Sequence, residues 1–447
     1  MPEEFLKEMK ELLTEEEYKK LLDSYLEKPK RSIKLQLDKI SSKELEQIVS
    51  FQLKSIPMID GSYYIEEEKI GNHPYHHAGL FYVQEPSAML PPLLVPLKSS
   101  FKVLDLCASP GGKTLALSNQ VPNGFVLANE INYNRAKKLL SNVERLGLKN
   151  VVVSSMSSKS LKNIYQEYFD VILIDAPCSG EGMFRKDETA RRKWSKEKID
   201  ELSQIQKELL EDSVSMLKEN GYLIYSTCTF NKKENEEQII DFLSKHSFEI
   251  IDIPSKFDSI TNQGVIIKKE YSTDKARRCY PFLYGEGQFM IVIQKKEKTE
   301  YKNIEDNLTN LSNEEMKIVT TFMKENLKKN DYIIKKCQNN IVILPHSILI
   351  PKMTLLSCFV KMGEIEKERF IPHHQFVKAY GIDFINKLSL SFDDNRTICY
   401  LKGEEIEGDV EDGYGVLMVD GYPLGLFKAK NKKLKNHYPK GLRYQNN

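Results

Sequence analysis

The most regular part of the chain begins at residue 101, where short apolar runs alternate with amphipathic stretches. Runs of this length are typical of buried strands, and the stretches between them repeat apolar positions at helical spacing. The alternation predicts a doubly wound, mostly parallel α/β sheet. The predicted strands are 101–106, 125–129, 151–154, 169–174, 222–227 and a late 289–294, and the main predicted helices are 133–146 and 197–218.

The patterns on either side of this core predict further modules. Residues 1–28 carry apolar side chains at near-helical spacing, which predicts two helices separated near Thr14. The charged run 295–300 is typical of a linker, and residues 311–385 show mixed helix and strand patterns around 341–344. Alternation from Thr397, with turns at 412–413 and 420–421, predicts a small β module. We therefore divide the chain into the segments 1–95, 96–297, 298–385 and 386–447.

Composition narrows the class of protein. The 447 residues include 65 Lys and Arg against 64 Asp and Glu, so that any nucleic-acid surface must be local. Seven cysteines without a Cys-x-x-Cys motif favour a reducing compartment over a disulfide framework or a zinc site. There is no signal pattern and no apolar run of about 18 residues, which predicts a soluble cytoplasmic protein. We expect no metal, because defined ligand spacing is lacking among His73, His76, His77, His373 and His374.

A glycine-bearing loop joins the first predicted strand to the first helix of the core. Its sequence at 107–114 is Cys-Ala-Ser-Pro-Gly-Gly-Lys-Thr, and Gly111 and Gly112 allow a ligand to approach the main chain. Glu130, at the end of the next strand, is placed to accept hydrogen bonds from both hydroxyls of a ribose.

Three ligand classes fit such a loop, and its residues favour one of them. The loop is neither Gly-x-Gly-x-x-Gly nor Gly-x-x-x-x-Gly-Lys-Ser/Thr, which weakens the dinucleotide and nucleoside triphosphate alternatives. S-adenosylmethionine has a ribose and no phosphate, so it needs no phosphate cradle. A tight turn beside a solvated carboxylate stays open as the alternative without a ligand.

Two cysteines follow neighbouring strands of the predicted sheet. Cys178 closes the segment Asp175-Ala-Pro-Cys after the fourth strand, and Cys228 ends the fifth. Parallel strands bring their carboxyl ends to one edge, so both thiols are expected where ligands bind. A lone cysteine is more often a small buried hydrophobe, whereas two thiols at this edge favour a reactive pair.

Such a pair suits methylation of carbon 5 of a cytosine. That carbon becomes nucleophilic only after a group adds to carbon 6, which a thiolate does well. A free thiol has a pKa of about 8.5, so the site has to activate it. A second acid–base group then has to release the product. Methylation of amino groups uses instead an Asp/Asn-Pro-Pro-Tyr/Phe loop, which residues 175–178 do not match. The residues by themselves leave the roles of the two cysteines interchangeable.

Three motifs carry a specific family resemblance. They are Asp105-Leu-Cys-Ala-Ser-Pro-Gly-Gly-Lys-Thr114, Asp175-Ala-Pro-Cys-Ser-Gly-Glu-Gly-Met183 and Ser226-Thr-Cys-Thr229. With supporting segments at 71–80, 84–88, 285–289 and 434–443, the chain resembles the RNA 5-methylcytosine methyltransferases of the RsmB/RsmF/Nol1/NSUN group. Within the group, the resemblance is greatest to the bacterial RsmF branch, which modifies 16S ribosomal RNA. It implies a Rossmann-like S-adenosylmethionine-dependent methyltransferase core at 96–297, an N-terminal α+β RNA-binding module at 1–95 and a PUA-like RNA-binding module at 386–447.

The resemblance also implies roles for individual residues. Cys228 is expected to be the nucleophile, Cys178 to promote product release, and Asp175 to lie between cofactor and cytosine. Lys113 is expected to contact the target nucleotide. The residues expected to bind S-adenosylmethionine are Cys107, Ala108, Ser109, Pro110, Gly111, Gly112, Lys113, Thr114, Glu130, Arg135 and Asp175.

The RNA-binding surface is predicted from local charge. Residues 421–447 contain no acidic side chain and mix basic with aromatic residues, as RNA-binding segments and solvated tails both do; the PUA-like resemblance favours RNA. Arg185 and Lys186, just after Cys178, are expected beside the phosphates that flank a flipped base. In the tail, RNA contacts are expected from Lys428, Lys433, Lys435, Tyr438, Lys440 and Arg443.

These features predict a monomeric rRNA (cytosine-5) methyltransferase whose partner is 16S rRNA or the small ribosomal subunit. The same chemistry on transfer RNA is an alternative. A non-catalytic RNA-binding protein is another, because Ser157 stands where many members of the group have an acidic residue beside the adenine. Gln288 likewise replaces a common histidine.

Overall fold

The structure, a computed structural model, describes residues 1–299, 306–329 and 331–444. Its strands form four sheets, of four, ten, five and five strands. The ten-stranded sheet is the doubly wound core that the alternation from residue 101 predicts. Within the described ranges, no helix has both the length and the apolar character needed to cross a membrane.

The N-terminal region combines short helices with an antiparallel sheet. Its elements are α1 (Glu3–Leu12), α2 (Glu15–Ser24), β1 (Arg31–Leu35), α3 (Ser42–Ile48), β2 (Lys54–Ser55), β3 (Ser62–Ile65), α4 (Pro74–Ala78) and β4 (Phe81–Val83). The predicted break at Thr14 is confirmed: its hydroxyl accepts the N–H of Glu17, and the Glu17 carboxylate accepts the N–H of Thr14. The strands lie in the order β2-β3-β1-β4.

The central unit alternates strands and helices. Its elements are β5 (Lys102–Asp105), α5 (Gly112–Gln120), β6 (Phe125–Asn129), α6 (Tyr133–Leu146), β7 (Val151–Ser154), α7 (Ser158–Ile164), β8 (Phe169–Asp175), α8 (Glu188–Lys193), α9 (Lys196–Met216), β9 (Leu217–Thr227), α10 (Glu236–Leu243), β10 (Phe248–Ile251), β11 (Asn262–Gln263), β12 (Arg277–Cys279) and β13 (Gln288–Lys295). The six predicted strands and both predicted helices form. The fifth strand differs most, since it begins at Leu217, where it pairs with Phe169 before a register shift.

The order of strands in this sheet sets the position of the ligand edge. It runs β11-β12-β13-β9-β8-β5-β6-β7, and β10 also pairs with β13. Strands β5 to β9 are parallel, whereas β13 is antiparallel to β9. The chain winds from β5 to β7 in one direction and resumes at β8 on the other side of β5, so the switch point lies between β5 and β8. Two large apolar clusters pack against the sheet, which explains its nearly continuous hydrophobic strands.

The segment after β13 does not begin as the predicted linker. Lys295 is the last residue of β13 and is fully buried, with its Nζ 2.7 Å from Glu167 Oε1 and two backbone carbonyls accepting from it at 2.8 Å. The N–H of Thr299 donates to the same carboxylate at 2.8 Å. This ion pair binds the start of the segment to the core, and Glu300 lies outside the described residues.

The next unit mixes helix and strand, as predicted. Its elements are β14 (Leu308–Thr309), α11 (Asn313–Asn326), β15 (Ile333–Cys337), β16 (Asn340–Leu344), β17 (Ser357–Cys358), β18 (Val360–Glu366), β19 (Arg369–Pro372) and α12 (His374–Tyr380). Strands β14, β15, β16, β18 and β19 form an antiparallel sheet in that order. Strand β17 instead adds to the central sheet, antiparallel to β7, so this segment also completes the edge of the core.

The C-terminal region is a small β module. Its elements are β20 (Lys387–Leu390), α13 (Asn395–Lys402), β21 (Ile406–Glu407), β22 (Gly413–Val419), β23 (Tyr422–Lys430) and β24 (Lys433–Asn436). Asp420 and Gly421, both with positive φ, form the predicted turn between β22 and β23. Thr397 lies in α13, where the alternating pattern predicted strand. Side chains of this module and of the N-terminal sheet share one apolar cluster, so the two ends of the chain pack together.

Candidate active site

Four strand ends meet at one edge of the central sheet. Strands β5, β6, β8 and β9 are parallel, so the loop after each opens at this edge, on both sides of the switch point. The predicted site residues follow these strands: 107–114 after β5, Glu130 after β6, Asp175 and Cys178 at the end of β8, and Cys228 after β9. The topology therefore gathers residues that are distant in the sequence.

Glycine shapes the loop between β5 and α5. Gly111 precedes α5 with a φ of +113°, which a residue with a Cβ rarely adopts. A Cβ added to Gly112 would lie 2.8 Å from Cδ of Gln84, so the N-terminal region closes on the first turn of α5. Asp105 accepts a hydrogen bond from Thr114 Oγ1 at 2.7 Å, and burial raises the pKa of Asp105 to about 7.

The other residues of this loop are tied to neighbouring elements. The N–H of Ala108 donates to the Asn129 carbonyl at 2.8 Å, and Asn142 Nδ2 donates to the Pro110 carbonyl at 3.0 Å. Cys107 packs against the central apolar cluster. The loop is thus held in shape by contacts on both sides.

Glu130 lies beside this loop with an acceptor atom to spare. Its side chain is 3% exposed, and its Oε1 accepts the N–H of Asn132 at 3.0 Å. Within the part of the chain that the structure describes, its Oε2 accepts no hydrogen bond, although the Arg135 guanidinium lies 3.3 Å away. Arg135 also donates to the Ser109 carbonyl at 3.2 Å. A buried carboxylate with free acceptor capacity fits the hydroxyl pair of a ribose.

Asp175 connects the cofactor loop to the cysteine strands. Lys113 Nζ lies 2.7 Å from Asp175 Oδ2, and Ser226 Oγ and Gln288 Nε2 donate to Oδ1 at 2.8 and 3.1 Å. Burial works to lower the pKa of Lys113, but the nearby carboxylates of Asp175, Glu85 and Asp105, Asp175 foremost, together outweigh it and raise that pKa. Lys113 is therefore a fixed positive charge at the switch point.

The two cysteines face each other across β8 and β9. Their Sγ atoms lie 3.1 Å apart, and the N–H of Cys228 donates to Cys178 Sγ at 3.2 Å. The hydrogen bond with Cys228, together with burial, raises the pKa of Cys178 well above its ordinary value. The two sulfur atoms therefore lie within hydrogen-bond distance of each other at the ligand edge of the sheet.

A buried polar network joins the Cys178 loop to the Cys228 loop. Glu234 accepts the N–H and hydroxyl of Ser179 at 3.0 and 2.5 Å and Nδ2 of Asn231 at 2.6 Å. Glu181 accepts the N–H of Asn231 at 2.9 Å and Nε1–H of Trp194 at 2.9 Å. Sequence analysis missed three of these supporting residues, namely Glu181, Asn231 and Glu234. Their only signals were the place of Glu181 inside the 175–183 motif and the spacing of Asn231 and Glu234.

Arg185 does not lie on the predicted RNA-facing surface. Its guanidinium donates to both carboxylate oxygens of Glu286 at 2.8 and 2.9 Å, and to the carbonyls of Gly285 and Ser24 at 3.1 Å. The Arg185 and Glu286 side chains are 2% and 1% exposed. Four of its five N–H groups are used within the protein and the pair is almost fully buried, so Arg185 is not placed to contact a phosphate of RNA. Lys186, beside it, is exposed.

Comparison with known proteins identifies the family of this chain. Profiles of the N-terminal domain of 16S rRNA methyltransferase RsmF, of 16S rRNA methyltransferase RsmB/F and of the methyltransferase RsmF PUA domain match residues 1–86, 92–293 and 387–444. Ribosomal RNA small subunit methyltransferase F of Shewanella sp. (strain MR-7) is 31% identical over 92% of this chain and 91% of its own. The chain belongs to the 16S rRNA methyltransferase RsmB/F family. Its similarity to the protein of the same name from Enterobacter sp. (strain 638) is 29% identity over 99% and 95% of the two chains.

Solved structures share the fold of this methyltransferase. A methyltransferase homolog protein from Pyrococcus horikoshii is 27% identical, with a TM-score of 0.54 over 66% of this chain and 100% of its own. NSun6 from Pyrococcus horikoshii is 19% identical, with a TM-score of 0.57 over 66% and 99% of the two chains. At that identity the second likeness concerns the fold alone.

In the PUA domain of this RsmB/F family member, the residues predicted to contact RNA are either buried or half-buried, or exposed. Tyr438 is 1% exposed and its hydroxyl lies 2.7 Å from His77 Nδ1, so its ring fills the junction with the N-terminal region and is not placed to contact RNA. Arg443 is half-buried and donates from Nε to the Tyr438 carbonyl at 3.2 Å. The exposed candidates are Lys428, Lys433, Lys435 and Lys440.

Ser157 and two of the histidines make hydrogen bonds at the starts of helices. Ser157 caps α7, its Oγ accepting the N–H of Ser160 at 3.2 Å. His73 and His373 each accept the N–H of the residue two positions on, at 3.2 Å, and so begin α4 and α12. Among the described residues there is no group of three or more His, Cys, Asp or Glu side chains that could hold a metal ion.

Proposed function

We propose that this methyltransferase transfers a methyl group from S-adenosylmethionine to carbon 5 of a cytosine in 16S rRNA, through a covalent adduct with Cys228. The observation that carries the proposal is the 3.1 Å separation of the two sulfur atoms at the carboxyl ends of β8 and β9. Two thiols at the edge where ligands of such sheets bind have the chemistry that carbon-5 methylation requires.

The residues at the switch point fit S-adenosylmethionine. Gly111 and Gly112 open the main chain of the loop, and Oε2 of Glu130, which faces Arg135 but accepts no hydrogen bond among the described residues, suits the ribose. The cofactor supplies an electrophilic methyl group. The structure of NSun6 from Pyrococcus horikoshii was determined with SFG, an analogue of S-adenosylmethionine, which adds support from the fold.

Cys228 is the nucleophile in this proposal. Once its proton has passed to solvent, its thiolate forms a bond to carbon 6 of the cytosine, and the electron pair of the carbon 5–carbon 6 double bond moves toward carbon 5. The S–H of Cys178, 3.1 Å away, stabilises the thiolate before attack. Methylation of carbon 5 then uses the displaced pair.

Cys178 serves product release. After methylation, the proton on carbon 5 has to leave, and the electron pair of the sulfur–carbon 6 bond has to return to Cys228. Cys178 is the neighbouring acid–base group. Bonding of Cys228 to the base removes the hydrogen bond that raises the pKa of Cys178, so Cys178 gives its own proton to solvent and then accepts the proton of carbon 5. Asp175 and Lys113, ion-paired at 2.7 Å, lie between the cofactor loop and the cysteines and are placed to orient the base.

Complementation of a deletion strain tests the proposal. Bisulfite sequencing of total RNA should show a 16S rRNA cytosine that loses its mark in the deletion and regains it with the wild-type gene. Cys228→Ala should not restore the mark, and Cys178→Ala should accumulate a protein–RNA adduct stable in denaturing gels. Cys399→Ala, which alters a cysteine of the PUA domain, is the matched control and should restore methylation. Full activity of Cys228→Ala would refute the mechanism, and a lost mark on transfer RNA would refute the substrate.

A further inference from the structure

A large groove opens in the N-terminal region beside the active site. Its volume is about 1010 Å³, and strands β1, β2 and β3 supply much of its wall. Small-molecule pockets measure roughly 300–1,000 Å³ and are mostly apolar. This groove is at the upper end of that range, and half of the residues that line it carry charged side chains, which suits a segment of a charged polymer better than a small ligand.

Five basic side chains line the groove, and all five are exposed. Within residues 1–299, 306–329 and 331–444, none of them forms an ion pair; Arg31 donates only to a backbone carbonyl, that of Glu67, at 3.4 Å. Their charge is therefore available to an anionic partner. The five are Lys28, Lys30, Arg31, Lys54 and Lys186.

An aromatic residue lies among these cations. Tyr64 is half-buried in the wall, and Lys30 Nζ lies 5.8 Å from the centroid of its ring. Positive charge along a groove, interleaved with an aromatic ring, is the arrangement that binds single-stranded nucleic acid through phosphates and bases. An acidic protein segment would use the cations but has no comparable use for the ring.

The groove reaches the active site at one end. Gln84 and Lys186 both line it. Gln84 packs against Gly112 at the start of α5, and Lys186 follows the Cys178 loop, where its N–H donates to the Met183 carbonyl at 2.9 Å. An occupant of the groove would therefore continue toward the two cysteines.

Acidic residues mark another boundary. Glu66 and Glu68 line the groove and also a neighbouring cavity of about 490 Å³, to which none of the five cations contributes. The third carboxylate of the wall, Glu85, is buried and accepts hydrogen bonds from Ser87 and Ala88. Carboxylates repel phosphates, so a nucleic-acid backbone would follow the basic wall and avoid this boundary.

We infer that the groove lined by Lys28, Lys30, Arg31, Lys54, Lys186 and Tyr64 binds the single-stranded RNA that flanks the target cytosine. The inference rests on the proposed function and adds the path of the substrate. The backbone of the strand contacts the lysines, and the strand enters the active site past Gln84 and Lys186.

The salt dependence of RNA binding tests the groove directly. The groove variant, Lys30→Gln/Lys54→Gln/Lys186→Gln, removes three exposed charges. The control, Lys317→Gln/Lys324→Gln/Lys328→Gln, removes three exposed lysines in and just after α11. The full-length proteins are titrated with a labelled oligocytidylate of about 12 nucleotides, a length within the roughly 4–16 nucleotides of single-strand sites. The slope of log K against log salt is negative, and each lost phosphate contact reduces its magnitude by about 0.7, so the slope of the groove variant should be about 2 less steep than that of the wild type.

The expected result is specific to the groove. When the salt concentration rises from 50 to 200 mM, the factor by which affinity falls should be about 16 times smaller for the groove variant than for the wild type. The control should match the wild type. An unchanged slope in the groove variant, or an equal drop in the control, would overturn the inference. Cys228→Ala should bind the oligonucleotide with the wild-type slope, so failure of the catalytic proposal and failure of the groove give different results.

Discussion

Substitution of Arg185 by alanine tests whether this residue is a structural ion pair or an RNA contact. In the structure Arg185 and Glu286 form a bidentate pair with almost no exposure. Removing the arginine leaves the Glu286 carboxylate buried without its partner, which typically costs about 3–5 kcal/mol. For a unit of the size of residues 92–293, each kcal/mol corresponds to roughly 2–4 °C, so we expect the Tm to fall by roughly 6–20 °C.

Differential scanning fluorimetry and RNA titration give the readouts. Lys186→Ala is the matched control, because Lys186 is the next residue and is exposed: its Tm should stay within about 2 °C of wild type, and its salt slope should fall by about 0.7. Arg185→Met/Glu286→Leu should recover much of the lost stability, since neither buried charge is left unpaired. An unchanged Tm for Arg185→Ala, combined with a reduced salt slope, would refute the assignment.

Two further predictions follow from packing and from a pKa. Gly182→Ala would place a Cβ 2.8 Å from Gly287 Cα and 3.1 Å from the Cys228 carbonyl, so we expect a loss of roughly 1–3 kcal/mol of stability and reduced methyl transfer; Gly441→Ala, with open space around it, should match wild type in both assays. Burial raises the pKa of Asp105 to about 7 from about 3.9 in an unfolded chain, so the unfolded state ionises first and stability declines from about pH 4 to pH 7. Asp105→Asn should remove this decline, which is at most about 4 kcal/mol. The free energy of unfolding of both proteins is measured by urea denaturation at pH 5 and pH 8; an equal change between the two pH values in the wild type and the variant would contradict the prediction.

The sequence by itself determined the core and the placement of the site within it. Strands such as 151–154 are buried on both faces, so their residues are almost all apolar, and a continuous apolar run can be recognised from the sequence. Parallel winding then brings the ends of β8 and β9 together, so that Cys178 and Cys228 were expected at one edge before any distance was known. The positions of the glycine loop and of Glu130 follow from the same alternation of strands and helices, since each comes directly after a strand.

Only the tertiary structure decided which polar side chains face inward. Arg185, Tyr438 and Lys295 all looked accessible from their neighbours in sequence, yet each is buried. Their partners Glu286, His77 and Glu167 are 101, 361 and 128 positions away. A buried polar or charged group is stable only beside a partner that satisfies it, and a local pattern holds no information about a partner so remote. The proposed RNA groove has the same origin, because Lys186 comes beside Lys30 and Lys54 only when the central unit packs against the N-terminal sheet.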